Sequence, residues 1–345
     1  MPQKHNTMPE IFDNVSLKKY NTFGVEANAR WYTEINSEDD LKDLFANEAW
    51  RKAERLVLGG GSNLLLTKDF DGLVIRMNIK GISSEVNGEE VIVEAGAGEV
   101  WHNLVMYCVD NGFAGMENLS LIPGSVGASP IQNIGAYGVE LKDVFESCRV
   151  FFIETGEIRE FKKEECRFGY RESIFKNDLK GEVIITNVVF RLSTKAALNI
   201  SYGAIGEELQ KRHIANPGIK DVSDVVSHIR VSKLPDPSTI GNSGSFFKNP
   251  IISETEFKKI QSIFPDTVHF CLPNSTVKLA AGWLIEQCGW KGKKIGETGT
   301  WKNQALVLVN YGNATGSEVY DLSSRIIEDV KTKFGVSLER EVNVI

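Results

Sequence analysis

Ile122-Pro-Gly-Ser-Val-Gly-Ala-Ser-Pro-Ile-Gln-Asn-Ile-Gly-Ala-Tyr-Gly138 is the stretch from which the rest of this chain is read. Gly124, Gly127, Gly135 and Gly138 bare the backbone, and Pro123 and Pro130 keep it out of helix. Ser125, Ser129, Gln132 and Asn133 add polar contacts. As ordinary core such a segment is costly, because glycine loses much entropy on ordering and buries little apolar area. As a wrapping for a ligand it is apt, since successive backbone N–H groups make a nest for anions, phosphates above all. The plainer alternative is a long Gly-rich surface loop.

A second such stretch, Gly59-Gly60-Gly61-Ser62-Asn63, follows the short apolar run Leu56-Val57-Leu58, which reads as a buried strand. A strand running into glycines sets them at a sheet edge, where ligands bind. Neither stretch is a G-x-G-x-x-G or a G-x-x-x-x-G-K-S/T motif, so Rossmann and P-loop sites are not expected. There is no G-x-S-x-G elbow and no Cys/His nucleophile setting. A nucleotide bound here uses both loops, which suits a long cofactor with a pyrophosphate and a flat ring.

The surroundings are those of a multidomain α+β protein. The chain has 345 residues, 42% of them apolar, enough for a large core and two or three domains. Its net charge of -7 speaks against a nucleic-acid or membrane-surface role. The N-terminal Met-Pro-Gln-Lys-His-Asn lacks an apolar leader, and no apolar run reaches membrane-spanning length. Cys108, Cys148, Cys166, Cys271 and Cys288 contain no C-x-x-C pair and read as reduced thiols of a cytoplasmic protein. The 5 histidines show no metal-ligand spacing, so no metal is expected.

Ser37 with Asp40 starts a helix whose apolar face is Leu41, Leu44 and Phe45, and Leu73 to Met77 reads as a strand. Val91 to Glu94 is strand-like, and a helix runs from about Glu99 to Asp110. Thr155-Gly156 joins the hairpin strands Cys148 to Ile153 and Ile158 to Phe161, and Val183 to Leu192 is a further strand. The Pro-rich Lys233-Leu234-Pro235-Asp236-Pro237 marks a boundary. Beyond it come a helix opened by Ser253 and Glu256, a longer helix from about Val277 to Gln287 and a strand at Ala305 to Val309. A helix over roughly Glu318 to Phe334 and an edge strand over Val336 to Ile345 complete the chain.

Three groups of residues offer chemistry. Arg171 lies among aromatics in Phe168-Gly169-Tyr170-Arg171-Glu172-Ser173-Ile174-Phe175, where a guanidinium can stack and grip a carboxylate. It reads equally as a surface charge over a Tyr/Phe patch. Ser245 lies in Gly244-Ser245-Phe246-Phe247-Lys248-Asn249-Pro250, beside a cation, and reads on spacing alone as a helix-capping hydroxyl. Glu339 and Glu341 share a strand face, and nothing local selects one.

Taken in order, these stretches resemble the UDP-N-acetylenolpyruvoylglucosamine reductase family. The resemblance rests on Gly59 to Asn63, the 118–140 block, Tyr170 to Phe175, Lys233 to Pro237, Gly244 to Pro250 and Glu341-Val342. It spans nearly the whole chain, and Ser201-Tyr202-Gly203 resembles the subgroup with a tyrosine loop over its substrate.

The resemblance implies a two-lobed FAD-binding fold of the vanillyl-alcohol oxidase / p-cresol methylhydroxylase type plus a C-terminal α+β substrate-binding domain. The implied divisions are 1–80 and 81–232 for FAD, 233–335 for substrate and 336–345 as a strand returning to the site. Non-covalent FAD, NADPH as co-substrate, UDP-N-acetylglucosamine enolpyruvate as substrate and a monomeric cytoplasmic bacterial enzyme of peptidoglycan synthesis are likewise implied. Residue by residue, Arg171 and Glu341 match the groups at the developing enolate, and Ser245 matches the general acid. Gly59, Gly60, Gly61, Ser62, Asn63, Pro123, Gly124, Ser125, Gly127, Ser129, Gly135 and Tyr137 match the FAD-binding stretches. Tyr202, Lys233, Asn249 and Gln304 match substrate contacts. Two departures fall at the C-terminus: Asn343 stands where many relatives carry arginine, and 4 residues follow Glu341. The rival expectations are a flavin oxidase on the same FAD-binding fold and a nucleotide-binding regulator without catalysis.

Overall fold

The computed structural model describes residues 8–345, and the N-terminal stretch read above, Met1–Asn6, lies outside them. The chain divides into two compact, discontinuous units. Among the described residues, one comprises the segment up to Val15, Ala29–Gly60 and Asp71–Arg230, the other Ser16–Asn28, Gly61–Phe70 and Val231–Ile345.

The first unit holds two sheets. Its four-stranded sheet runs Phe12–Ser16, Asn28–Ile35, Phe70–Met77, Arg55–Leu58, the last two strands parallel. Helix Glu38–Ala46 starts at the expected capping box of Ser37 and Asp40 and buries Leu41, Leu44 and Phe45 with Ile35, Leu73 and Ile75. Such a cap stabilises a helix by about 1 kcal/mol. The antiparallel five-stranded sheet runs Ile158–Lys162, Phe145–Phe152, Val183–Ser193, Glu90–Gly96, Ile82–Asn87. Its hairpin turns where Thr155-Gly156 predicts, with Gly156 at φ +70°. Helix Trp101–Asp110 shares a core with this sheet through Trp101, Leu104, Val105 and Cys108. The Trp101 indole N–H donates to the Leu119 carbonyl at 2.9 Å, fixing the entry to the Gly-rich stretch. Helices Gly203–Lys211 and Ile219–Lys233 pack through Ile205, Leu209, Val222 and Val226.

The second unit is built on a four-stranded sheet, Gly241–Ser245, Gln304–Asn310, Thr298–Trp301, Lys294–Ile295. Helix Gly316–Phe334 turns Val319, Leu322, Ile326 and Val330 inward, opens on a capping box of Thr315 and Glu318, and stops at Gly335 in the left-handed region. A three-stranded sheet orders Ile251–Ser253, Thr276–Leu279, His269–Leu272.

Two expectations are corrected here. The helix predicted from Val277 to Gln287 is only Ala281–Gln287, and Thr276–Leu279 is a strand paired with His269–Leu272. The turn Asn274-Ser275, at φ +62° and +54°, closes a tight hairpin, and the β-branched Thr276 and Val277 continue it as strand. The edge strand predicted over Val336 to Ile345 keeps its alternation in burial at Val336, Leu338 and Val342. Its pairing, however, splits into a bridge between Phe247 and Arg340 and a parallel pair of Asn343–Val344 with Leu64–Leu65. The split occurs because this segment passes from one partner strand to another. Among the described residues no helix is long and apolar enough to cross a membrane, and no group of three or more His, Cys, Asp or Glu could hold a metal.

Candidate active site

Within the first unit the two glycine stretches meet. A Cβ on Gly59 would collide with the Ser125 hydroxyl, and one on Gly60 would come within 2.9 Å of the Gly124 Cα. At Gly60 bare backbone faces bare backbone and at Gly59 it meets the Ser125 hydroxyl, so side chains at these positions would drive the two stretches apart. The path of the longer stretch is fixed from beneath. The Gly124 carbonyl accepts from the Trp101 N–H at 3.0 Å, while the Val126 and Gly127 N–H groups each donate at 2.9 Å to the Glu99 and Ala97 carbonyls. Ser129 is buried and donates its hydroxyl to the Val126 carbonyl at 2.7 Å, so it shapes the loop. Ser125 is buried against Gly59, whereas Pro123 is exposed.

The end of the stretch orients Arg171. Its Nη2 donates to the Gly135 carbonyl at 2.9 Å and its Nη1 to that of Asn133 at 3.4 Å, with the guanidinium 5.4 Å from the Tyr170 ring centroid. The reading as a surface charge over an aromatic patch thus captures only the stacking. Arg171 (φ +58°), Asn133 (φ +46°) and Tyr137 (φ +50°) all hold a conformation that side chains disfavour. Strain gathered at one spot and held by its surroundings is characteristic of functional sites. Asn133 is fully buried and ties the two segments together. Its amide donates to the Gly169 carbonyl at 2.9 Å, and its Oδ1 accepts from the Lys142 N–H at 3.0 Å.

Beyond this turn Tyr137 meets Tyr202 edge-on, with ring centroids 5.4 Å apart and planes at 79°. Arg230 donates to the Leu121 carbonyl at 3.2 Å. Burial lowers its guanidinium from the usual range, and Tyr137 opposes that shift; burial likewise raises the Tyr137 phenol, and Arg230 opposes it. His102 is lowered by burial and by Arg230, and its Nδ1 accepts from the Leu121 N–H at 3.0 Å. Sequence reasoning named Asn133 only as a polar contact of the stretch and missed Arg230. The available signal for Arg230 was its place one helical turn before Lys233.

The second unit carries the remaining residues. Ser245 ends strand Gly241–Ser245 with its side chain exposed, and it caps no helix. A register shift between Asn242 and Ser245, with Gly244 at φ +66° and its N–H on Asn242 Oδ1 at 3.0 Å, re-aims the serine. Alongside runs the C-terminal segment. The Glu341 N–H donates to the Phe246 carbonyl at 2.8 Å, and the Lys248 N–H to the Glu339 carbonyl at 2.9 Å. Asn63 donates to the Glu341 carbonyl at 3.2 Å, and its own carbonyl accepts the Asn343 side chain at 3.0 Å. Gly61, at φ +60°, leaves no room for a Cβ beside the Tyr20 carbonyl, and Ser62 follows it half-buried.

The two carboxylates that sequence left equal differ here. Glu339 is exposed and pairs with Lys248 at 2.6 Å, so that buried lysine is committed to an ion pair. Glu341 is half-buried, and its main chain is fixed by Phe246 and Asn63. Asn249 Oδ1 accepts from the Ala281 N–H at 2.9 Å. Gln304 Oε1 accepts from the Leu306 N–H at 3.2 Å and lies where a Cβ on Gly282 would fall. Both thus gather at the start of helix Ala281–Gln287. Asn303 donates to the Ser232 carbonyl at 3.0 Å, which brings the exposed Lys233 beside the same strand end.

Known proteins with these features agree. The C-terminal domain of UDP-N-acetylenolpyruvoylglucosamine reductase matches residues 236–345, and an FAD binding domain matches residues 30–162. The reductase of Flavobacterium johnsoniae is 51% identical over 97% of this chain and 100% of its own length. This chain belongs to the UDP-N-acetylenolpyruvoylglucosamine reductase family. The Pseudomonas aeruginosa reductase is 48% identical over 97% of the chain and 99% of its own length. The crystal structure of the Thermus caldophilus reductase superposes with a TM-score of 0.66 at 26% identity, covering 97% of this chain and 98% of that one. The expected α+β FAD-binding fold with the reductase family's C-terminal domain is therefore borne out.

Proposed function

We infer that this chain reduces UDP-N-acetylglucosamine enolpyruvate to UDP-N-acetylmuramate with NADPH through FAD, a step of peptidoglycan precursor synthesis. The observation that carries this reading is the meeting of Gly59 and Gly60 with Gly124 and Ser125 in a member of the reductase family. That cradle fits FAD: it offers close approach to bare backbone where any Cβ would intrude. Gly59 to Asn63, with Pro123, Gly124, Ser125, Gly127, Ser129, Gly135 and Tyr137, would hold or shape the place of the cofactor. When bound, FAD supplies the two-electron carrier between NADPH and the enolpyruvyl double bond.

Hydride reaching the vinyl carbon leaves negative charge on the adjacent carbon and on the oxygens of the substrate carboxylate. Arg171, held by the Asn133 and Gly135 carbonyls, presents a fixed cation where that charge develops. Glu341, in its protonated form, shares its own proton with the enolate oxygen, since an ionised carboxylate would repel that charge. Ser245 donates its hydroxyl proton to the adjacent carbon, an enolate being basic enough to take it at short range. Tyr202, Lys233, Asn249 and Gln304 bind the nucleotide side of the substrate. In this reading 1–80 and 81–232 serve FAD, 233–335 the substrate, and 336–345 brings Glu341 beside the Ser245 strand. We also place the enzyme in the cytoplasm as a monomer, supported by free cysteines throughout the described chain and by the cytoplasmic pools of NADPH and nucleotide sugars.

The test is an anaerobic spectrum with NADPH added first and the enolpyruvyl UDP-sugar second. Bleaching of the flavin band followed by its return on the UDP-sugar supports the reading. Return only on admission of oxygen favours an oxidase, and a protein that cannot take up FAD removes the flavin role.

A further inference from the structure

The turn Asn133–Gly138 receives hydrogen bonds from two directions, and the chemistry above uses only one of them. On one side stands Arg171, on the Asn133 and Gly135 carbonyls. On the other stands Asn118, whose side chain is wholly inside the first unit. Its amide gives away both hydrogens, to the Tyr137 carbonyl at 2.9 Å and to the Asn199 carbonyl at 2.8 Å. Asn199 closes the pair from its own side. Its Nδ2 donates to the Gly138 carbonyl at 3.1 Å, and its Oδ1 accepts from the Ser201 hydroxyl at 2.8 Å. Tyr202 follows directly, with its ring edge-on to Tyr137. A Cβ on Gly138 would lie 3.2 Å from the Asn199 amide, so the fit here is close.

A carboxamide is the one small side chain that can donate to two carbonyls at once. Alanine would release both, and aspartate would set a negative charge against two carbonyl oxygens. We propose that Asn118, with Asn199, is a positioning residue that clips the root of the Tyr202 loop to the turn that seats Arg171. This rests on the roles given to Tyr202 and Arg171 above. One piece of backbone then sets both the loop that covers the nucleotide end of the substrate and the cation that receives its carboxylate charge. Loss of the clip frees the loop and loosens substrate binding, and neither asparagine needs to touch the substrate.

The experiment uses the FAD-loaded enzyme with Asn118→Asp and Asn199→Ala. The second change sits at a half-buried position and keeps the test alive if the first variant fails to fold. Three readouts are taken: hydrogen exchange over residues 198–203, the rate of flavin reduction by NADPH, and KM for the enolpyruvyl UDP-sugar. The expected result is exchange faster by about 10-fold or more. KM should rise about 10-fold, and reduction by NADPH should change by less than about threefold. Tyr202→Ala, alone and combined, completes a double-mutant cycle in which the KM effects do not add if the clip acts through the loop. Additive effects, unchanged exchange, or equal losses in both half-reactions would overturn the proposal. An unchanged KM in Tyr202→Ala alone removes instead the role of Tyr202 in binding, and the substrate role of the clip with it. Unchanged exchange in the asparagine variants removes the clip whatever Tyr202 does.

Discussion

In the reaction proposed above, the Gly-rich turn of the first unit and the strand pair 243–248 with 339–343 of the second would contribute by opposite means. The turn works with main chain: glycines that admit close approach, carbonyls that seat a guanidinium, and strained φ angles held by buried asparagines. The strand pair works with side chains: Ser245 re-aimed by a bulge, and Glu341 set apart from Glu339 by the latter's ion pair. Substitutions in the first region should act by changing shape and cofactor retention. Those in the second should act on single chemical steps.

Ser245→Ala breaks or sharpens this contrast most. The second half-reaction should fall by ~10²-fold or more with flavin reduction by NADPH spared; stopped-flow traces of each half-reaction measure it, and wild-type reoxidation would remove the serine from the chemistry. Arg171→Ala should strike the same half-reaction by about 10²-fold or more, and a pure loss of bound flavin would assign Arg171 to the cofactor instead. Next comes Gly59→Ala, expected to lower flavin occupancy about tenfold, read from the absorbance ratio of purified protein. Adding Ser125→Ala removes the hydroxyl in the way and should restore part of that loss. Gly60→Ala faces the Gly124 main chain and should have no such rescue.

Glu341→Gln and Glu339→Gln form the fourth test. The first should slow the oxidative half-reaction severalfold or more, while the second, an exposed ion-pair partner, should change it by less than about threefold. Equal effects would mean the two carboxylates are not functionally separated. The smallest effect concerns the thiols behind the five-stranded sheet. Burial, with Glu117 adding to it, pushes Cys108 up to about 12. Cys148 is raised by its contact with Cys166 and by burial. An acid raised in the fold stabilises it fully below the unfolded value of roughly 8.5 and loses that contribution as pH climbs through the folded value. Urea midpoints should therefore begin to drop above about pH 8 and keep falling toward about pH 12, and Cys108→Ala should flatten the decline. A decline of the same slope in that variant would locate its cause elsewhere.

Legibility from sequence followed the same divide. The glycines announced the turn, because few other uses of so many glycines and prolines are economical, and both stretches proved to face each other. Helix starts at Ser37 and Ser253 were legible because they rest on local hydrogen bonds between neighbours in the chain. Asn118 and Arg230 stayed hidden because their partners are carbonyls 19 or more residues away in the chain, and because a carbonyl has no residue type to recognise. The misread helix at Val277 has a related cause. Val277 and Leu279 suit either element, and the pairing with His269–Leu272 decides. Spacing alone leaves Glu339 and Glu341 equal and only the family resemblance selects Glu341; the ion pair that distinguishes Glu339 is to Lys248, 91 residues away.

A surface made of main chain has no side chain to exchange. At Gly59 and Gly60 mutation can only add bulk, and bulk there drives apart the two stretches to which the proposal assigns the cofactor. A small molecule that placed its hydrogen bonds on this backbone would meet a target with few routes of escape. One that relied on Tyr202 would meet an exposed loop free to change its side chain.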